Sequence, residues 1–334
     1  MKITIFSAQH YEPQFLDEAL ERLGGSPSVE LLYQQATLSV QTASLARGSD
    51  AVCVLPMDIV DEPVLVELAK RHLRAIFLRS AGFNHVDIEA ASRLGLFVAR
   101  VPVYSPEAIA EHTLALVMTL NPHRHRAWLR VREGNFRLDG LMGTTLCGKT
   151  FDIMSEGKIG LATARIFRGM GCRILGCDRG SVSELARLGE QVTLETLLHE
   201  SDIVSLHCPL SEDTRYVISR DTLAQMKRGA MLVNTSRGEL VDTAAAIDAL
   251  KARHLGALAI DVYEHEEKLF LRDHSSDIIA DDVFRSLLTF PNVLVTCHQA
   301  FLTSDAIREI AHVTLDNVQC FMTGVECPNR VVNT

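Results

Sequence analysis

The chain has 334 residues, 47% hydrophobic and 22% charged, with a net charge of −9 and a pI near 5.8. That is enough apolar material for two ordinary globular domains, and the acidic balance argues against a protein built to grip a phosphate backbone, which needs a basic stripe. Eight cysteines without a C-x-x-C pair, mostly inside apolar runs, read as buried reduced thiols. The N-terminus MKITIFSAQHY lacks the pattern of a secretory signal, and no apolar run approaches transmembrane length. A cytoplasmic protein with no nucleic-acid and no membrane partner is expected.

Lys2 to Phe6 predicts a short strand, and Phe15, Leu16, Ala19, Leu20 and Leu23 recur at helical spacing over Pro13 to Leu23 until a Gly-Gly pair stops them. Strand-like Val29 to Tyr33 follows, then a helix toward Ala46, the strand Ala51 to Leu55, the helix Glu62 to His72 and the strand Ala75 to Leu78. Such alternation predicts a parallel sheet. Arg79 to Asp87 is next. It is either a ligand loop at a strand's carboxyl end or an ordinary glycine turn with a helix cap. Ser105 to Val131 predicts one long helix, opened by Ser-Pro-Glu and kinked at Pro122, crossing from this first alternating set to a second.

The second set begins with Thr150 to Asp178: an apolar strand (Phe151 to Met154), a turn (Ser155 to Gly160), a helix, and a strand (Cys172 to Cys177) ending in Asp178. A dinucleotide site needs these parts: a tight turn, backbone approaching a pyrophosphate at a helix N-terminus, and a carboxylate about 20 residues on for the ribose. Gly157, Gly160 and Asp178 are present, but Ser155 stands where G-x-G-x-x-G has its first glycine. Alone, these residues do not separate a cofactor turn from simple packing glycines. A helix near Ser183 to Leu188, the strand Ile203 to Leu206, a helix over Asp221 to Met226 and the strand Met231 to Asn234 continue the pattern, followed by Thr235-Ser236-Arg237-Gly238. The strand Ala257 to Val262 leads into Asp261 to Glu266, and Val293 to Thr296 into Cys297-His298-Gln299-Ala300. Three strands thus bring charge or imidazole to one sheet edge. Each group also has a plain reading, as a surface arginine, a charged turn or a structural histidine. No metal site is expected, since the 13 histidines form no H-x-x-x-H pair.

Six segments in order carry a resemblance: Phe77 to Asn84 (FLRSAGFN), Val101 to Ala108 (VPVYSPEA), Ser205 to Pro209 (SLHCP), Asn234 to Gly238 (NTSRG), Asp261 to Glu264 (DVYE) and Val295 to Phe301 (VTCHQAF). Together they resemble the D-2-hydroxyacid dehydrogenase family, most nearly its fermentative D-lactate dehydrogenases. The resemblance covers nearly the whole chain. It implies an α/β protein of two Rossmann-like doubly wound parallel-sheet domains, with an NAD domain of residues 102–299 inserted into a flavodoxin-like substrate domain of residues 1–101 and 300–334. It places the catalytic residues at Arg237, Glu266 and His298. It places NAD along Gly157, Lys158, Ile159, Gly160, Asp178, Cys208, Pro209, Thr214, Thr235, Ser236 and Asp261. The substrate, pyruvate or D-lactate, would meet Ser80, Ala81, Gly82, Tyr104, Arg237 and Phe301. A homo-oligomer, dimer or tetramer, is implied as well. The alternative within the fold is a catalytically weakened, corepressor-like relative.

The departures concentrate in the turn. Where the family usually reads V-G-V-I-G-T-G-K-I-G, this chain reads Phe151-Asp-Ile-Met-Ser-Glu-Gly-Lys-Ile-Gly160. A positive φ at Ser155 costs about 1 to 2 kcal/mol. A Glu156 carboxylate about 4 Å from a pyrophosphate oxygen repels it by about 4 kcal/mol at an effective dielectric of about 20, so weakened NAD affinity is expected. Asp152 in a buried strand must find a partner or stay protonated. Asp178 favours NAD over NADP by repelling a 2′-phosphate, an inference that the neighbouring Arg179 weakens.

Overall fold

The structure is a computed structural model that describes residues 1–24, 28–178, 180 and 184–332. Arg179 and Ser183 therefore lie outside the described residues. Packing divides the chain into two units, Met1–Ser105 with Leu302–Thr334, and Pro106–Phe301.

The first unit holds five strands: β1 (Lys2–Ile5), β2 (Glu30–Tyr33), β3 (Ala51–Val54), β4 (Ala75–Leu78) and β5 (Phe97–Ala99). They pair in parallel in the order β2-β1-β3-β4-β5. Successive strand side chains point to opposite faces, and β3 shows it. Val52 and Val54 join Ile76, Leu78, Val64, Leu65 and Leu68 on one face, while Ala51 and Cys53 join Ala75, Phe77, Leu16, Leu315 and Val318 on the other. Both faces are thus covered, by the helices Glu62–Lys70 and Ile88–Arg93 on the first and Glu12–Arg22 and Ser304–Thr323 on the second. This is why the central strands read as unbroken apolar runs. Asp61, Asp87 and Thr303 cap three of these helices with side-chain oxygens.

The second unit holds β6 (Thr150–Met154), β7 (Arg173–Cys177), β8 (Glu190–Gln191), β9 (Ile203–Leu206), β10 (Met231–Asn234), β11 (Ala257–Ile260) and β12 (Val293–Val295). All are parallel, in the order β12-β11-β10-β9-β6-β7-β8. The chain leaves β6 toward β7 and β8, then returns to β9 on the other side. In such sheets the crevice at the carboxyl ends of the two strands flanking the reversal, here β6 and β9, takes the ligand. Under it Phe151 of β6 stacks on Phe167 of the helix Lys158–Gly169, with ring centroids 3.7 Å apart.

Several expectations need correcting. The helix toward Ala46 is a single 3-10 turn, Ala43–Ala46. The long helix is two helices, Pro106–Leu120 and Arg124–Arg132, because proline cannot continue the hydrogen-bond ladder and His123 turns left-handed at φ 49°. Asn121 seals the break through both Thr144 N and Thr144 O. Of the helix expected near Ser183 to Leu188, the described residues form a 3-10 turn, Leu185–Arg187. All eight thiols are free, but only Cys53, Cys172, Cys208 and Cys327 are buried, while Cys147 and Cys297 are exposed. An apolar run in sequence does not guarantee an interior position at strand ends and turns.

Candidate active site

The second unit brings Arg237, Glu266 and His298 to the carboxyl ends of three adjacent strands, β10, β11 and β12. Glu266 opens a 3-10 turn after β11, and its Oε2 accepts from the backbone N–H of Tyr263 at 2.9 Å. Its Oε1 meets His298 Nδ1 at 2.6 Å. With Nδ1 engaged, the imidazole's orientation is fixed and Nε2 is its outward atom. The His298 ring is 26% exposed, and burial pulls its pKa down, yet the hydrogen bond and charge of Glu266, with that of Asp261, outweigh burial and the opposing Arg237 to leave it raised.

His298 sits at φ 52°, a region that costs a non-glycine residue about 1 to 2 kcal/mol. Asp261 holds the segment there. Its backbone carbonyl accepts from His298 N at 2.6 Å, and its buried carboxylate accepts from Gln299 N and Ala300 N, both at 2.9 Å, and from Thr296 Oγ1. His112, on the helix Pro106–Leu120, reaches the same carboxylate at 3.3 Å. Although burial opposes it, these donors hold the Asp261 carboxyl below its ordinary pKa. Arg237 is placed by its own turn: Asn234 Nδ2 donates to Arg237 O at 2.8 Å, and Asn234 Oδ1 accepts from Ser236 N at 3.0 Å. A side chain at Gly238 would lie 2.1 Å from the carbonyl carbon of Tyr263, so only glycine lets the β10 and β11 turns pack together.

The other residues expected along NAD are tied down by hydrogen bonds. Ser236 Oγ donates to Cys208 O at 2.6 Å, Thr235 Oγ1 lies 3.2 Å from Thr113 Oγ1, and Thr214 Oγ1 donates to Pro209 O at 2.7 Å. Burial pushes the Cys208 thiol up to about 11, so it is a packing group.

At the β6 turn Gly157 is the N-cap of the helix Lys158–Gly169, and nothing lies within 4 Å of where its Cβ would point. Open backbone N–H groups of Lys158 and Ile159 at a helix N-terminus suit a pyrophosphate. Gly160 is forced, because its Cβ would lie 2.2 Å from Ser155 O. Ser155 takes φ 85°, as the glycine it replaces would. Asp178 Oδ2 accepts from Glu156 N at 2.7 Å and Ser155 Oγ at 3.3 Å. Glu156 does not extend toward a pyrophosphate: the residue is 3% exposed, with Oε1 only 3.0 Å from where a Gly176 Cβ would stand on β7. Burial, then the nearby Asp178, raises its pKa, so the expected repulsion is removed wherever the carboxyl stays neutral. Asp152, wholly buried, accepts from Ser205 N at 3.2 Å and is raised well above its ordinary range by burial.

In the first unit the carbonyls of Ser80, Ala81 and Gly82 accept from Val101 N, Arg100 Nη1 and Ser80 Oγ respectively. Beneath them Arg79 is fully enclosed, paired with Glu12 and the carbonyl of Phe6. Tyr104 and Phe301 are half-buried, each within its own unit. Sequence reasoning missed His112, Thr113 and Thr296. Their partners are remote in sequence, and no local pattern marks them. Among the described residues no group of three or more His, Cys, Asp or Glu could hold a metal ion, and no helix is long and apolar enough to cross a membrane.

Residues 114–300 match the family described as D-isomer specific 2-hydroxyacid dehydrogenase, NAD binding domain. A D-lactate dehydrogenase of Curvularia clavata is 50% identical over 332 residues, 99% of this chain and 95% of its own. The D-lactate dehydrogenase of Escherichia coli is 46% identical over 333 residues, 99% of this chain and 100% of its own. Among solved structures, the apo form of D-lactate dehydrogenase from Escherichia coli matches at a TM-score of 0.90 with 44% identity, covering 99% of this chain and 100% of that one. The NAD+ complex of the Lactobacillus jensenii D-lactate dehydrogenase matches at 0.82 with 32% identity, covering 100% of both chains. With its motifs, its two parallel-sheet units and these full-length likenesses in agreement, the chain belongs to the D-isomer specific 2-hydroxyacid dehydrogenase family.

Proposed function

We propose that this chain is an NAD-dependent D-lactate dehydrogenase, reversibly reducing pyruvate to D-lactate. The observation that carries the reading is the 2.6 Å contact of His298 Nδ1 with Glu266 Oε1, beside Arg237 on the same sheet edge. It favours an enzyme over a corepressor-like protein, because holding a part-buried histidine at a strained φ against a carboxylate is costly unless the imidazole does chemistry.

A 2-keto acid offers a planar carboxylate and a carbonyl. The Arg237 guanidinium matches the carboxylate in two-point fashion and polarises the carbonyl oxygen. His298 Nε2 donates a proton to that oxygen during reduction and removes it during oxidation, while Glu266 stabilises the imidazolium and keeps the ring in register. The nicotinamide, when bound, supplies or accepts the hydride. Residues 102–299 serve as the NAD domain, with the pyrophosphate on Gly157, Lys158, Ile159 and Gly160, the ribose on Asp178, and the rest of the groove on Cys208, Pro209, Thr214, Thr235, Ser236 and Asp261. Residues 1–101 and 300–334 serve the substrate. In this reading the backbone of Ser80, Ala81 and Gly82, whose carbonyls are engaged within their own unit, meets the substrate, with Tyr104 and Phe301 as further contacts. Chiral chromatography of the lactate formed from pyruvate and NADH tests the reading: D-lactate is expected, and the L enantiomer or no lactate contradicts it.

The protein is a homo-oligomer in this reading. Trp128, Leu129 and Val131, followed by Phe136, Leu138 and Met142, are exposed large apolar side chains close together in the chain, which supports an association face. Light scattering that returns a single-chain mass would refute it. Eight unbonded thiols support a reducing, cytoplasmic compartment.

A further inference from the structure

Three carboxyl groups crowd one side of the β6 turn: Asp152 within β6, Glu156 in the turn, and Asp178 at the end of β7. Cys177 lies among them, its thiol pushed up by burial and then by all three acids. Glu156 is the exceptional one. Both its carboxyl oxygens are closed off from water and have no hydrogen-bond partner among the described residues, and Oε1 lies against Gly176 beside Leu185. An ionised carboxylate without donors is strongly disfavoured in such a place, whereas a protonated one is tolerated. The backbone of the same residue donates to Asp178 Oδ2 at 2.7 Å, so the position of Glu156 and the orientation of the ribose-site carboxylate are mechanically joined. Gly157, the next residue, begins the helix N-terminus.

We propose that Glu156 is a proton-linked positioning residue for the dinucleotide: its neutral carboxyl, tucked against Gly176, holds the turn and Asp178 in the shape that takes NADH. Ionisation would drive the side chain out of that place and set a negative charge beside the pyrophosphate. The inference rests on the assignment of this turn to NAD. It adds that this chain, with an unpartnered acid buried in its cofactor turn, couples cofactor affinity to pH through Glu156. Among the described residues, the charged and titratable groups near it are Asp178 and Cys177 from β7, Asp152 from β6, exposed Lys158 at the helix start, and exposed Glu184 and Arg187 to either side of Leu185. Across the turn, His207 is held down at about 4 by burial and stays neutral.

The test is the dissociation constant of NADH alone, read by its fluorescence on the folded full-length protein between about pH 5.5 and 8.5, for wild type and Glu156→Gln. One linked proton lets the wild-type constant rise by at most about tenfold per pH unit, and the isosteric, always neutral glutamine should keep the low-pH affinity throughout. Glu156→Thr, a smaller side chain that cannot ionise, should flatten the profile too and serves where glutamine impairs folding. An equal pH slope in wild type and both variants overturns the inference while leaving the cofactor site standing. No NADH binding at any pH by the folded wild type overturns the cofactor assignment and the inference with it.

Discussion

The carboxyl ends of β10 to β12 and the turn between β6 and its helix belong to one sheet, yet they handle buried charge in opposite ways. Around Asp261 every acid is answered: the carboxylate takes two backbone amides, a threonine hydroxyl and His112, and Glu266 takes Tyr263 N and His298. Around Glu156 the match is incomplete: among the described residues both oxygens of Glu156 and Oδ2 of Asp152 lack partners, while Asp152 Oδ1 accepts from Ser205 N. A satisfied network rigidifies a site, while a half-satisfied one leaves it responsive to protonation. The proposed catalytic edge is therefore preorganised, and the proposed cofactor turn keeps acids without partners.

Perturbations should separate the two regions. The largest effect is expected for His298→Ala, which removes the proposed proton donor and should lower kcat by about 10²- to 10⁴-fold while NADH still binds; near-normal turnover would remove the imidazole from the mechanism. At the turn, Gly160→Ala should destabilise the protein by about 1 to 3 kcal/mol, seen as a lowered melting temperature, because its Cβ meets Ser155 O at 2.2 Å. Gly157→Ala should melt normally and instead weaken NADH binding, since its Cβ meets only open space. A melting temperature lowered equally in both would mean that Gly157 has a packing role. Glu266→Gln bears on the catalytic edge through pH. Reduction needs the imidazolium, so its rate falls as pH rises through the raised His298 pKa. Removing the Glu266 charge should move that limb to lower pH, and an unmoved limb would detach Glu266 from His298. The smallest effect is expected for Ser155→Gly, which relieves a positive φ and should stabilise by about 1 kcal/mol in denaturant melts; a loss of stability would mean that the Ser155 hydroxyl on Asp178 outweighs the strain.

The alternation of strand and helix was legible because both sheets are covered on both faces, which makes β3, β4, β6, β9 and β10 nearly continuous apolar runs. Ile88–Arg93, Leu194–Glu200, Thr243–Lys251 and Asp282–Thr289 went unpredicted, being short helices whose apolar stripes span too few turns to stand out. The strand ends carrying Arg237, Glu266 and His298 were visible as polar groups after apolar runs. Their adjacency was not, since it depends on the strand order. Likewise nothing near Asp261 or His112 in sequence announces that they meet 3.3 Å apart. The Ser155-Glu156 departure was visible, but the direction of the Glu156 side chain depended on the gap that Gly176 leaves on the next strand, so the expected clash with pyrophosphate gave way to burial.

The central claim is that the catalytic edge is intact despite the altered turn, and steady-state NADH oxidation with pyruvate tests it most directly, with NADH varied to near-millimolar concentration at constant pH. The account predicts turnover that saturates in both substrates and disappears in His298→Ala. A folded protein that binds NADH yet turns over no pyruvate at any concentration would contradict it.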